Sequence, residues 1–469
     1  MKSILTHILA IFGLLLTVSC GEDRTYEYEE KTQHNHWMLE TMRDKYLWAD
    51  SLTNYEPAWK DFFSEPSSFI TTLAAKSAQG DKWSYVEIDT VTADSHERGH
   101  FNHVNSYGLD FVLMTDPTGQ TTKQMLRVLT VYPGSPAERA GLLRGDFICS
   151  YNGYKFSSSN ISRMESGVAR RLEVCHIAVN EEDGTFYWKD TVTVSMDASE
   201  FVEDKAFPVD WILVADGTLV GYLMCTRLLP CPREKGLASL GSTVYRDALD
   251  KAMHEMKQAG VEEMVLDLRL CNDGTLDMAQ RLASYVVSPE ALGGTFAKTF
   301  RNAAYAAENQ IVPYDTSVEN LGLSRVYILT SSYTQGAAEW MIHALQHSMG
   351  EENVILIGQS TKGQNVMTED AGSQFHVHLF PVVAYVADGD GDYDYGSLSP
   401  TLEVDEQAYL NLDNYGSPSE ILFYTAIHHI LGLIGQNDSE STEESDNSAE
   451  TETDGEETAD ETAEASEVE

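Results

Sequence analysis

The stretch Val326-Tyr327-Ile328-Leu329-Thr330-Ser331-Ser332-Tyr333-Thr334-Gln335-Gly336-Ala337-Ala338-Glu339 decides the fold. Its first five residues are a short apolar run of the kind buried on both faces of a parallel sheet. Turn-forming polar residues and a glycine follow, and from Ala337 to His347 the apolar residues recur at helical spacing. A strand that passes through a tight turn into a helix is part of a βαβ unit. The pattern continues on both sides: 219–224, 264–268 and 354–357 read as further buried strands, and 244–259 as a further helix. Residues 210–436 are therefore expected to form an α/β core closed by a last helix over 418–431.

Upstream the period changes. Residues 107–196 read as short strands separated by turn residues, and a domain is expected over 100–205. Tyr132-Pro133-Gly134-Ser135-Pro136-Ala137-Glu138-Arg139-Ala140-Gly141-Leu142, with Arg144-Gly145-Asp146-Phe147-Ile148 and Asn152-Gly153 after it, resembles the PDZ fold. That resemblance implies that Tyr107, Gly108, Leu109, Asp110 and Phe111 form the loop whose N–H groups receive a polypeptide's terminal carboxylate, the polypeptide then adding a strand to the sheet edge. Before it, Met38, Met42 and Tyr46 recur at steps of four, and Glu65-Pro66-Ser67-Ser68 is a helix start, so 36–95 is expected to be a small helical domain.

The two ends are separate objects. Residues 1–19 have the layout of a secretory signal, Lys2 preceding a short apolar run that closes at Thr17-Val18-Ser19-Cys20. Small residues before that cysteine resemble the lipobox of bacterial lipoproteins, which implies lipidation of Cys20, a tether over 20–35 and attachment to a membrane of the cell envelope. Residues 437–469 carry fifteen Asp and Glu and no Lys or Arg. With almost no apolar residue, such a segment is expected to be disordered. The whole chain has a formal net charge of −43, from Lys+Arg 31 and Asp+Glu 74, and this field excludes a nucleic-acid partner. Beyond Cys20 the cysteines form no CxxC and hence no zinc framework, although Cys149 with Cys175, or Cys225 with Cys231, are close enough in sequence to pair.

Gly221-Tyr222-Leu223, Leu266-Asp267-Leu268-Arg269 and Val326 to Thr330 running into Ala337-Ala338-Glu339 resemble the tail-specific, or C-terminal processing, serine peptidases. The order of segments, helical region then PDZ then core, fits that family as well, and implies a core of ClpP/crotonase-like βαβ type. Such peptidases use a Ser/Lys dyad, with backbone amides to hold the oxyanion. The family nucleophile lies three residues before the glutamate, and here that residue is Gly336. The family lysine follows a glycine after the next strand, and in Gly358-Gln359-Ser360-Thr361-Lys362-Gly363-Gln364 its place is taken by Gln364. The oxyanion region would comprise Asn272, Asp273, Gly274 and Ala337. Glycine has no nucleophile and glutamine accepts no proton at neutral pH. The resemblance thus implies a pseudoprotease that binds polypeptide C-termini and needs no cofactor. Two alternatives stand beside it: an active endopeptidase with a shifted dyad, built from Thr334 or Ser332 with Lys362, and a purely architectural subunit of an envelope complex.

Three tempting metal patterns are incomplete, and no metal is expected. Asp388-Gly389-Asp390-Gly391-Asp392 begins like a calcium loop, but Tyr393 stands where its glycine belongs and Ser399 where its glutamate belongs. It reads as an acidic surface turn. His343 and His347 lie one helical turn apart, but Ala344 replaces the glutamate of a zinc-peptidase helix. His376 and His378 alternate on a strand-like segment without a third ligand.

Overall fold

The computed structural model describes residues 25–88, 105–180, 182–203, 205–234, 237–238, 242–410 and 412–433. The signal segment, Cys20 and the acidic tail lie outside these residues. Among the described residues no helix is long and apolar enough to cross a membrane.

The core is a six-stranded sheet whose strand order follows the chain. Val209–Ala215 pairs antiparallel with Thr218–Met224; Glu263–Asp267, Val326–Thr330, Val354–Gly358 and Leu402–Glu403 then add in parallel. Alternate residues of a strand face opposite sides, and both sides here are covered. Leu266, Ile328 and Leu356 pack with residues of the helices Val244–Ala259, Leu276–Val286 and Ala337–Met349, while Val265, Tyr327, Leu329, Ile355 and Ile357 pack under Ile421–Ile430. This double burial is why the strands read as unbroken apolar runs. The helix Leu276–Val286 and a second sheet, ordered Ile311–Pro313, Thr295–Arg301, Val382–Ala387, Val366–Thr368, were not anticipated from the sequence.

The PDZ region is an antiparallel sheet in the order Leu109–Thr115, Gln124–Val131, Phe147–Tyr151, Arg170–Val179, Phe186–Met196. Cys149 and Cys175, on neighbouring strands, form a disulfide; Cys225, Cys231 and Cys271 are free and buried, so the alternative Cys225–Cys231 pairing does not form.

The N-terminal region corrects one expectation. Residues 25–35 are not a tether: a single helix runs Thr25–Lys45, and Asn35, fully buried, donates to the carbonyls of Phe62 and Ser64 at 3.0 and 2.8 Å. The first turns lack apolar periodicity, and these polar contacts anchor the middle of the helix. The region is helical as expected, with helices Thr25–Lys45 and Pro66–Ala74, and it packs directly on the core. Met38, Met42, Phe69 and Leu73 share a core with Val366, Val377, Leu379 and Val382, and the strand Tyr85–Ile88 pairs with Val377–Phe380.

Candidate functional site

Three adjacent parallel strands place the site. Asp267 is in register with Leu329, and Leu329 with Ile357, so the segments leaving these strands emerge side by side. In open α/β sheets the crevice beyond the carboxyl ends of the strands is where ligands bind. Hydrogen bonds lock the segments together. Thr334 Oγ1 donates to Leu268 O at 2.9 Å, Ser331 Oγ to Arg269 O at 2.5 Å, and the Gln335 N–H to Cys271 O at 2.9 Å.

The two residues read as nucleophile and base positions face each other. A Cβ on Gly336 would stand 3.3 Å from Gln364 Oε1 and 3.7 Å from its Nε2. Gly336 closes the turn at φ 59, ψ −114, backbone that costs any other residue about 1–3 kcal/mol. This is a strand-to-helix turn under strain of the kind that presents a nucleophile, occupied by a residue with none. Gln364 is 8 % exposed and its amide is committed at both ends: Oε1 accepts from Gln335 Nε2 at 2.7 Å, and Nε2 donates to Val366 O at 3.0 Å. Glu339 frames the pair. Its fully buried carboxylate accepts the N–H groups of Gly336 at 3.0 Å, Gly363 at 2.5 Å and Gln364 at 2.7 Å. Burial pushes its carboxyl above the ordinary Glu range, against the pull of Thr361 and these N–H groups.

The residues read as an oxyanion region lie against the start of the helix Ala337–Met349. A Cβ at Gly274 would lie 2.6 Å from Ala337 Cβ and 2.7 Å from Leu228 Cβ, so only glycine lets the 271–275 segment approach the helix start this closely. Asn272 and Asp273 are half-buried beside it.

The residues weighed as a shifted dyad are arranged differently. Thr334 is fully buried, and its hydroxyl also accepts the Ser331 N–H at 3.0 Å, so both its donor and an acceptor lobe hold the turn. Ser332 is exposed. Lys362 donates its backbone N–H to Thr334 O at 2.9 Å, but its side chain is exposed.

In the PDZ region the strand Leu109–Thr115 is at the edge of its sheet, with Gln124–Val131 as its partner. The loop before it is partly spent: the Tyr107 N–H donates to Glu165 O at 3.3 Å and the Gly108 N–H to Ser106 Oγ at 2.9 Å. Asp110 is buried and accepts from Tyr132 Oη at 3.1 Å. Phe111 continues the strand, half-buried.

A buried ionic cluster, which sequence reasoning missed, ties this PDZ region to the core beneath the site. Arg269, fully buried, contacts Asp267 at 2.8 Å, Glu406 at 2.8 Å and Glu420 at 2.7 Å. Arg144 of the PDZ region reaches the same Glu406 at 2.7 Å, and Arg127 donates to Gln407 O at 2.9 Å and Leu410 O at 3.0 Å. Burial opposes charge on Glu406 and Glu420, yet Arg269 and Arg144 hold both carboxyls below the ordinary Glu range. Arg269 was legible as part of Leu-Arg after a strand; its partners Glu406 and Glu420 lie more than a hundred residues away.

Among the rejected metal patterns, His376 sits in the turn before Val377–Phe380, away from a ligand set. The 388–392 turn reaches the surface through exposed Asp390 and Asp392, but Asp388 itself is 5 % exposed and lies against His343 and His347.

Residues 237–381 match peptidase family S41, 127–163 match a PDZ domain, and 33–85 match the S41 N-terminal domain. Among solved structures, a Bacteroides fragilis protein assigned as an S41 protease is 28% identical with a TM-score of 0.72, over 85% of this chain and 97% of that one. The photosystem II D1 C-terminal processing protease is 16% identical with a TM-score of 0.48, over 80% and 93% of the two chains. Mature CPAF, complexed with lactacystin, is 10% identical with a TM-score of 0.45, over 87% and 98%. Curated proteins yield no match. Carrying the S41 N-terminal domain, a PDZ domain and the peptidase core in that order, the chain belongs to the S41 family of C-terminal processing peptidases.

Proposed function

We propose that this protein keeps the polypeptide-binding architecture of its family and has lost the hydrolytic chemistry. The observation that carries this reading is the Gly336–Gln364 pair. A Cβ added at Gly336 would stand 3.3 Å from Gln364 Oε1, but the first position has no side chain and the second presents a neutral amide already hydrogen-bonded at both ends. Neither an acyl-enzyme nor a proton transfer has an atom to occur on. The committed hydroxyl of Thr334 and the solvent-facing Lys362 favour this over a shifted dyad.

What the chain does instead is hold an extended polypeptide segment, which adds as a strand along Leu109–Thr115 and leads towards the cleft above the sheet. The N–H groups already bonded in the 106–109 loop and the buried Asp110 make strand addition, rather than capture of the terminal carboxylate, the larger part of the affinity. Attachment to an envelope membrane would come through lipid on Cys20, and the C-terminal segments of other envelope polypeptides are the ligands in reach.

The test is a degradation assay on an unfolded protein with a free C-terminus, run beside a fluorescence titration with C-terminal peptides. No turnover together with saturable binding is expected. Turnover that disappears in Thr334→Ala or Lys362→Ala would overturn the inert reading and identify a shifted dyad. Absence of peptide binding would leave the architectural role.

A further inference from the structure

Two patterns that are each incomplete in the sequence meet in the fold. His343 and His347 lie on the helix Ala337–Met349, and Asp388 and Asp392 on the loop that follows the strand Val382–Ala387. Asp388 Oδ2 stands 3.3 Å from His347 Nδ1 and 3.6 Å from His343 Nε2. His343, Asp388 and Asp392 each offer a ligand atom within 4.8 Å of the other two. We propose that these residues bind one divalent cation of the zinc class, with His343, Asp388 and Asp392 as ligands and His347, which reaches Asp388, completing the shell.

The spacing has the right size. Zn–N and Zn–O bonds of about 2.0–2.1 Å in a tetrahedron put neighbouring ligand atoms about 3.3–3.4 Å apart. The two histidine–aspartate separations, 3.3 and 3.6 Å, bracket the far end of that edge length. Two imidazoles with carboxylate oxygen select zinc-like first-row cations over calcium or magnesium, which prefer all-oxygen shells.

The acid is prepared for a cation. Asp388 is 5 % exposed, and its Oδ1 accepts the N–H groups of Asp390, Gly391 and Asp392, each at 2.9 Å. Those bonds aim Oδ2 at the imidazoles, and among the described residues no aligned hydrogen bond reaches that oxygen. A carboxylate oxygen facing two imidazoles is favoured when positive charge, from a cation or a protonated ring, sits between them. His347 is held in place from behind, since a Cβ on Gly389 would come within 2.9 Å of His347 Nε2. His343 Nε2 also lies 3.2 Å from the Asp392 carbonyl oxygen, and a cation would displace the proton shared there. Both histidines keep partial solvent access, with side chains 16% and 30% exposed, which gives an entry path.

Bound there, the cation staples the helix capped by Gly336 to the loop that continues towards Tyr395, whose ring lies tilted against His343 with centroids 4.2 Å apart. Its role is structural, and it stands apart from the Gly336–Gln364 pair.

The mature chain, stripped with a chelator, is titrated with Zn2+ against a chromophoric competitor, and its thermal midpoint is recorded with EDTA and with Zn2+. Asp388→Asn keeps the side chain's shape and its acceptor for the turn while removing the charged ligand. His347→Gln alters a partly exposed side chain and serves if Asp388→Asn does not fold. The acidic tail is common to all the proteins, so differences between them report the site. We expect one Zn2+ held at least tenfold more tightly by wild type than by either variant, a Zn2+-dependent rise in midpoint confined to wild type, and a four-coordinate visible spectrum with Co2+ that the variants lack. Equal stoichiometry and affinity in wild type and both variants would overturn the site and leave an ordinary histidine–aspartate ion pair.

Discussion

Restoring both missing groups tests the inert reading most directly. In Gly336→Ser the new side chain must accept φ 59, ψ −114, at about 1–3 kcal/mol. Its Cβ must also tolerate Gln364 Oε1 at 3.3 Å, a contact in which the amide gives by a few tenths of an ångström. The single variant should therefore melt lower by about 2–10 °C, yet stay inert, because nucleophile and base act as a unit and either alone recovers almost nothing. Gln364→Lys runs along the same buried path, where burial lowers a lysine's pKa and leaves the amine able to accept a proton. The double variant Gly336→Ser/Gln364→Lys should acquire labelling by a fluorophosphonate probe, read on a gel and by intact mass, with the Gly274–Ala337 contact still framing the oxyanion region. Circular dichroism confirms folding of each variant. A folded double variant with no more label than wild type refutes the placement of the pair. Equal label on Gly336→Ser alone refutes the assignment of the base to position 364.

The Arg269 cluster makes stability depend on pH. Because the folded state holds Glu406 and Glu420 below the unfolded Glu value, their contribution is fully present above that value and is lost as pH falls through the depressed ones; urea midpoints should drop on acidification below about pH 4.5. Arg269→Met should destabilise by about 3–5 kcal/mol, since it leaves buried carboxylates unpaired, and should flatten that acid dependence; an unchanged midpoint would contradict the cluster's role. Opening the Cys149–Cys175 bridge, whose partners are 26 residues apart, by Cys175→Ser should cost about 2–4 kcal/mol of stability in denaturant titration. Labelled palmitate should enter the full-length chain in bacterial cells and be absent from Cys20→Ala; label surviving in that variant would exclude Cys20 as the acylated residue.

Local pattern was enough for the parts whose neighbours in space are also neighbours in sequence or are simply water and apolar core. The parallel strands announced themselves because both their faces are buried, so every residue from Val326 to Leu329 had to be apolar. The turn at Gly336 and its distance to Glu339 were legible because a capping contact spans only three residues. The same counting located Gln364, one strand further on. What the sequence left undetermined is whatever depends on which segments the fold brings together. The middle of the Thr25–Lys45 helix is anchored by Asn35 bonding to carbonyls 27 and 29 residues away, and the N-terminal region shares its core with residues from Val366 onward. Arg269 finds Glu406 and Glu420 only because the 406–420 segment returns across the ends of the strands. His343 and Asp388 were each dismissed by a local motif that demands all its ligands within one helix or one loop, whereas hydrogen bonds and ligand shells act over about 3 Å of space and are indifferent to the 45 residues of chain between them.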